Sequence, residues 1–287
     1  MKTAPFVRHA PRTVEETLAI LAEVAPKHGR ILAGGQSLVP IMAFRMAELA
    51  HLVDINNVDG LDRLSIDGGE LSIGALVRHA AFHRPVVDGP LGRLMSVVAR
   101  NIAHYAIRSR GTFCGSLAHA DPASEWCLVA ATLGAKLVVK SNRGNRTVLA
   151  DDFLLGIMST SLADDELLAE ARIPLLPEGT RFGFYEFNRR VGDFAMAAAL
   201  VTCQVEGGLI VEPRVGVGGA EGKPRRIREA EVALNGQAPN IQLFKLAADA
   251  AAKAIEPLED YLTTGEYRRD LVRAVTERAL QRTLSID

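Results

Sequence analysis

The chain has 287 residues, of which 48 % are hydrophobic, and a formal net charge of −1. That length accommodates two domains of ordinary size with packed cores, and a nearly neutral chain without a lysine/arginine tract gives no electrostatic reason to expect nucleic acid. No segment approaches the roughly 20 apolar residues needed to span a bilayer, and the start, "MKTAPFVRHAPRTVEETLAI", contains no secretory apolar region, so the expected location is cytoplasmic.

Thr13 followed by Glu16 is a capping-box pattern, and Leu18, Leu21, Ala22 and Ala25 continue it at helical spacing. "RILAGG" reads as a short buried strand running into a glycine turn. "SLVPIMAFRM" then has helical spacing, with Pro40 tolerable in a first turn because its missing N–H would be unpaired there. "HLVDIN" and "ELSIGAL" read as strands, the second preceded by the turn "IDGGE". From Leu91 to Tyr105, the residues Leu91, Leu94, Met95, Val98, Ile102 and Tyr105 are expected on one face of a helix.

A second glycine loop, "RGTFCGSLAHADPASEW", leads into the apolar helix "CLVAATLG" and the strand "AKLVVKS". The proline-rich run "IPLLPEG" marks a boundary, dividing the chain into 1–176, with subdomains of about 1–57 and 58–176, and 177–287. Beyond it, "AMAAALVTCQVEGGLIVEPRVGVGG" reads as two long strands joined at "EGG". The last helix, "GEYRRDLVRAVTERALQRTL", places Tyr267, Leu271, Ala274, Val275 and Ala279 on one stripe.

The two glycine loops share an order: small residues, a hydroxyl, then a helix. "AGGQS" offers Gly34, Gly35 and Ser37, and "GTFCGS" offers Gly111, Thr112, Gly115 and Ser116. Glycines let consecutive backbone N–H groups converge on an anion, and a helix N-terminus adds its dipole. One such loop alone reads first as a bare turn that contacts nothing; two together suit a pyrophosphate gripped from two sides. Neither matches the P-loop or the dinucleotide fingerprint of a Rossmann unit. Gly216, Gly218 and Gly219 imitate that fingerprint but lie at the end of a hairpin strand, so they read as sheet structure.

"AGGQSLVPIMAFRMAELAHLVDI", "TFCGSLAHADPASEW", "FNRRVGDFAMA" and "GEYRRDLVRAVTERAL" occur in the order seen in the FAD-binding medium subunit of molybdenum hydroxylases, the carbon monoxide dehydrogenase and xanthine dehydrogenase family, which the chain resembles over nearly its whole length. The resemblance implies an α+β fold. Its N-terminal FAD-binding domain would comprise two small α+β subdomains, and its C-terminal domain a three-stranded antiparallel sheet with helices. It implies FAD contacts at Ala33, Gly34, Gly35, Gln36, Ser37 and Leu38 from the first loop, and at Gly111, Thr112, Cys114, Gly115, Ser116 and Ala118 from the second. Asp121 or Glu125 would accept a hydrogen bond from the ribose or adenine side. Asp193 would tie down a loop whose Phe194 resembles an aromatic position beside the isoalloxazine ring, though a core aromatic at a strand start is an equal reading. Relatives carry two adjacent glycines where this chain has Cys114 and Gly115, so Cys114 must avoid a glycine-only conformation; a small apolar filler is its expected role.

The weaker signals carry less. His79 and His83 sit at i, i+4 in "HAAFH", with no third ligand evident, and read as surface histidines rather than a metal pair. His119 and Asp121 could form a base with an orienting carboxylate, but loop structure beside FAD is the preferred reading. "YRR" at 267–269 reads as a solvated helix face.

The resemblance implies the flavoprotein subunit of a heteromeric oxidoreductase. A large molybdopterin-binding subunit would hydroxylate substrate and a small subunit would pass electrons through [2Fe–2S] clusters. This chain's FAD would deliver them to an external acceptor, in a complex that could be a dimer of heterotrimers. Cys114, Cys127 and Cys203 contain no CxxC pair and fall short of the about four thiolates that a cluster takes, so clusters belong to a partner, and chemistry to the cofactors. A self-sufficient flavin oxidase acting on its own small substrate is the alternative. A flavin- or nucleotide-binding sensor is a third reading.

Overall fold

The computed structural model describes residues 2–261 and 263–284. The N-terminal elements are β1 (Val7–His9), α1 (Val14–Val24), β2 (Gly29–Leu32), α2 (Leu38–Ala43) and β3 (His51–Asp54). β1 and β2 both pair parallel with β3 in a three-stranded sheet. Helix α1 begins where the capping box placed it: Thr13 Oγ1 accepts from Glu16 N–H at 3.1 Å, and Glu16 reaches back to the Arg12 N–H at 2.7 Å.

Strands β4 (Leu64–Asp67) and β5 (Glu70–Gly74) follow, then α3 (Pro90–Ala99), α4 (Tyr105–Arg108), α5 (Phe113–His119), α6 (Glu125–Leu133), β6 (Lys136–Ser141) and β7 (Gly144–Leu149). A single-turn α7 (Ala150–Phe153) and the small hairpin β8 (Leu154–Gly156) and β9 (Ser159–Thr160) precede β10 (Leu167–Pro174). These strands make a five-stranded antiparallel sheet in the order β4-β5-β10-β6-β7. Its core centres on Trp126, with Phe113 and Phe82 ring centroids 5.0 and 5.1 Å away. The helix expected through Tyr105 stops at Ala99. Asn101 N–H turns back to Val98 O, Ala103 takes a positive φ of 40°, Ile102 stays buried, and Tyr105 emerges into solvent.

The C-terminal sheet comprises β11 (Arg181–Phe187), β12 (Ala197–Glu206) and β13 (Leu209–Gly218), extended by the two-residue β14 (Arg225–Arg226). The β12–β13 turn uses Gly207 and Gly208, both at positive φ, as a two-residue hairpin loop with native twist requires. The chain closes with α8 (Arg228–Leu234), α9 (Ile241–Ala254) and α10 (Gly265–Arg282).

Strand alternation gives the C-terminal sheet two apolar faces. Phe184, Ala198 and Leu200 join the N-terminal core, whereas Ala197, Ala199 and Val201 join the core formed with α8, α9 and α10. Gly216 is needed on the first face: a Cβ there would run into Thr132 of α6. On α10, Leu271, Val275 and Ala279 are buried, but Tyr267 is not, and the expected solvated face is wrong at Arg268. Its guanidinium is buried, donating to Asp260 Oδ2 at 2.8 Å, to Met196 O at 3.2 Å and to Gly219 O.

Candidate functional site

Strands β2 and β3 lie side by side and parallel, so the turns leaving their C-terminal ends sit together. Residues 33–37 form the first of these turns. Gly35 sits at φ +71°, and a Cβ on Gly34 would come within 2.8 Å of Gly111 Cα. The two glycine loops are therefore packed backbone to backbone, closer than any side chain permits. A cavity of ≈ 370 Å³ opens beside them, walled by Ala33, Gly34, Gly35, Gln36, Asn56 and Arg110 among others.

Backbone donors supply the first loop's chemistry. Among the described residues, no acceptor faces the N–H groups of Gly35, Gln36, Ser37 or Leu38, and the Ser37 side chain caps nothing. Gln36 folds back, donating from Nε2 to Gly34 O at 3.1 Å. A run of unpaired backbone donors opening a helix is a cradle for anionic oxygens.

The second loop is more self-contained. Thr112 is the N-cap of α5, its Oγ1 accepting from Gly115 N–H at 3.0 Å. A Cβ on Gly115 would fall 2.5 Å from that oxygen, which explains the glycine without a positive φ. Cys114 is helical and buried, with its thiol 3.5 Å from Ile73 O; burial pushes the thiol's pKa upward. The departure from paired glycines thus costs no backbone strain. Ser116 accepts through its carbonyl from Ala120 N–H and from the Cys127 thiol, and Ala118 is exposed on the same helix.

Farther along, Asp121 Oδ1 accepts from Ala123 N–H at 2.8 Å in a local turn, and no hydrogen bond joins it to His119. Glu125 opens α6 and is 9 % exposed; burial pushes its pKa up to about 7, with Asp121 adding to the rise. Glu186 on β11 is close enough to Glu125 to feel its charge. Burial first and Glu125 second raise its pKa to about 8, and among the described residues its Oε2 has no hydrogen-bond partner.

The segment carrying Asp193 and Phe194 comes to a different place. A Cβ on Gly192 would collide with the His104 ring, so this loop lies over the chain that leads into α4. Asp193 is exposed and its carboxylate does not tie the loop down; Asn188 does so, donating to Glu186 Oε1 at 3.0 Å and to Asp193 O at 3.4 Å. Phe194 is 70 % exposed, which removes the core-aromatic reading.

The histidine pair is also revised. His79 is buried, not superficial: its Nδ1 accepts from the Trp126 indole at 2.9 Å, while the His83 ring packs beside Tyr105. Among the described residues, no group of three or more His, Cys, Asp or Glu is placed to hold a metal, and no helix is long and apolar enough to cross a membrane.

Asp54, Asn56, Arg78 and Arg110, absent from the sequence reading, stand at the cavity or brace it. Asp54 and Asn56 lie in the run "HLVDIN", which is legible as a strand, and that strand runs beside β2.

Over nearly its whole length the chain is similar to known proteins. A family model described as "FAD binding domain in molybdopterin dehydrogenase" matches residues 4–176, and one described as "CO dehydrogenase flavoprotein C-terminal domain" matches 182–283. The nicotine 6-hydroxylase medium subunit of Paenarthrobacter nicotinovorans is 39 % identical over 278 residues, covering 96 % of each chain. A chain in the structure of carbon monoxide dehydrogenase from Hydrogenophaga pseudoflava superposes with a TM-score of 0.94 at 33 % identity, covering 99 % of both. A chain of quinoline 2-oxidoreductase from Pseudomonas putida 86 does so at 0.92 and 34 %, again covering 99 % of both.

Proposed function

The chain belongs to the family of FAD-binding medium subunits of molybdopterin-dependent dehydrogenases and hydroxylases, and from that premise we propose that it relays electrons from the [2Fe–2S] clusters of a small partner subunit to an external acceptor. A large molybdopterin-binding partner would carry out the hydroxylation, and the complex would assemble as a dimer of heterotrimers. The observation that carries this reading is the packed pair of glycine loops, with the unpaired donors of Gly35, Gln36, Ser37 and Leu38, the first two at the wall of the 370 Å³ cavity.

FAD supplies the redox chemistry when bound, exchanging electrons with centres in the partners and with the acceptor. The chain's own residues hold it. Ala33, Gly34, Gly35, Gln36, Ser37 and Leu38 of the first loop and Gly111, Thr112, Cys114, Gly115, Ser116 and Ala118 of the second would hold its pyrophosphate. Either Asp121 or Glu125 would accept a hydrogen bond from the ribose or adenine side. Phe194, on the loop that also holds Asp193, would offer its exposed ring as a wall for the isoalloxazine. The domain division at 176/177 belongs to the same proposal. So does a cytoplasmic location, which suits the three buried, unpaired cysteines.

Co-expression with a large and a cysteine-rich small partner, followed by affinity purification through this chain, tests the reading. The expected result is a three-component complex that reduces a dye with an N-heterocycle or aldehyde, while the chain alone turns over neither. Turnover by the isolated chain would favour a self-sufficient oxidase.

A further inference from the structure

We propose that Asn56 and Arg78 form a side-chain bridge that sets the spacing of the two glycine loops, making them positioning residues for the pyrophosphate; this rests on the flavin site proposed above. The bridge is continuous. Asn56 Nδ2 donates to Ala33 O of the first loop at 2.8 Å. Asn56 Oδ1 accepts from Arg78 Nη2 at 2.6 Å, and Arg78 Nη1 donates to Arg110 O at the entry of the second loop.

Both ends are anchored. Asn56 is oriented by Asp54, whose Oδ1 accepts from Asn56 N–H at 3.1 Å and from Nδ2 at 2.6 Å. Asp54 is in turn held by Arg8, through Nε at 2.9 Å and Nη2 at 2.6 Å. On the other side, the backbone around Arg78 runs against the second loop: His79 N–H donates to Gly111 O and Phe113 N–H to Val77 O, both at 3.0 Å. Arg78 therefore moves with the second loop and Asn56 with the first.

The consequence is geometric. In a trans peptide the C=O and the following N–H point opposite ways, so holding Ala33 O toward Asn56 turns the Gly34 N–H away from it. The same bridge fixes the separation of Ala33 and Arg110, which share a cavity wall. Donors aimed at one diphosphate bind it well only when their relative placement is set beforehand.

A direct role for Arg78 as a phosphate ligand would give a different energetic pattern, which a double-mutant cycle distinguishes. The full chain is purified, its flavin removed, and the dissociation constants of FAD and ADP measured for wild type, Asn56→Ala, Arg78→Ala and the double variant. Each single change is expected to weaken FAD and ADP about tenfold, and the double variant by about the same tenfold, because either change already breaks the bridge. Arg78→Lys, which keeps the charge but reaches one acceptor at a time, is expected to fall between wild type and Arg78→Ala. The thermal midpoint of the flavin-free chain is read alongside, and is expected to move little while affinity changes.

Losses that multiply in the double variant would place Arg78 on the ligand and overturn the bridge. Unchanged affinity in both single variants would overturn it as well, leaving the flavin site intact. Wild-type chain that binds neither FAD nor ADP would remove the flavin reading itself, and the bridge with it.

Discussion

Trp126 donates its indole N–H to Nδ1 of His79 across 2.9 Å of buried space, and this fixes the histidine as the neutral tautomer protonated at Nε2. His79 also backs the second loop: its N–H donates to Gly111 O, and a Cβ on Gly111 would fall 2.5 Å from Nε2. Burial first, then Arg78 and Arg108, lower its pKa from 6.5 to about 4. A histidine that must stay neutral in the folded state gives stability that is complete above pH 6.5 and lost as pH falls toward 4. We expect the chain to lose about 3 kcal/mol over that window from this group, and His79→Gln to flatten that limb of a urea-unfolding series against pH.

Glu186 predicts the opposite slope. Its folded-state pKa of about 8 lies above the ordinary 4.5, so the folded state holds a proton that the unfolded chain releases. Stability from this group is complete below pH 4.5 and declines as pH rises to 8. Glu186→Gln removes the buried charge and is expected to stabilise the chain by about 1–2 kcal/mol at pH 8, with little change at pH 4.5. A variant less stable than wild type at pH 8 would contradict the assignment.

Gly34→Ala tests the packing of the loops. The new methyl would meet the backbone of Arg110 and Gly111 rather than a yielding side-chain tip, so the loops must part. Overpacking of this kind costs about 1–3 kcal/mol, which would weaken FAD binding by at least about fivefold if the loops grip it together. Equilibrium titration of FAD against the flavin-free chain measures the effect.

Arg268 is a structural cation of the C-terminal domain. Truncating it leaves Asp260, Met196 O and Gly219 O without this donor in a largely buried setting. Arg268→Ala should destabilise the chain by about 3–5 kcal/mol, seen as a lowered midpoint in thermal unfolding, whereas Arg269→Ala on the exposed side should change it little.

Much of this was legible in the sequence because the signals were local. Thr13 with Glu16 marks a helix start, Gly207-Gly208 a hairpin, and the glycine loops a pair of bare backbone turns. The resemblance over nearly the whole chain joined them into one fold, which the comparisons bear out. What escaped depended on contacts between distant positions. Arg78 meets Asn56 and Arg110 only because β3 and the second loop converge, and no spacing reveals this. Arg268 sits among polar neighbours in sequence yet faces the carbonyls of Met196, just before β12, and Gly219, just after β13. Leu91 to Tyr105 kept helical spacing after the helix had ended, since Ile102 stays buried through a turn.

The absorption spectrum of the purified chain, mixed with FAD and separately with FMN and then freed of unbound flavin, tests the central claim most directly. The account predicts flavin bands retained with FAD and not with FMN, abolished by excess ADP, because the loops grip a pyrophosphate that FMN lacks. Equal retention of both flavins, or FAD binding indifferent to ADP, would contradict it.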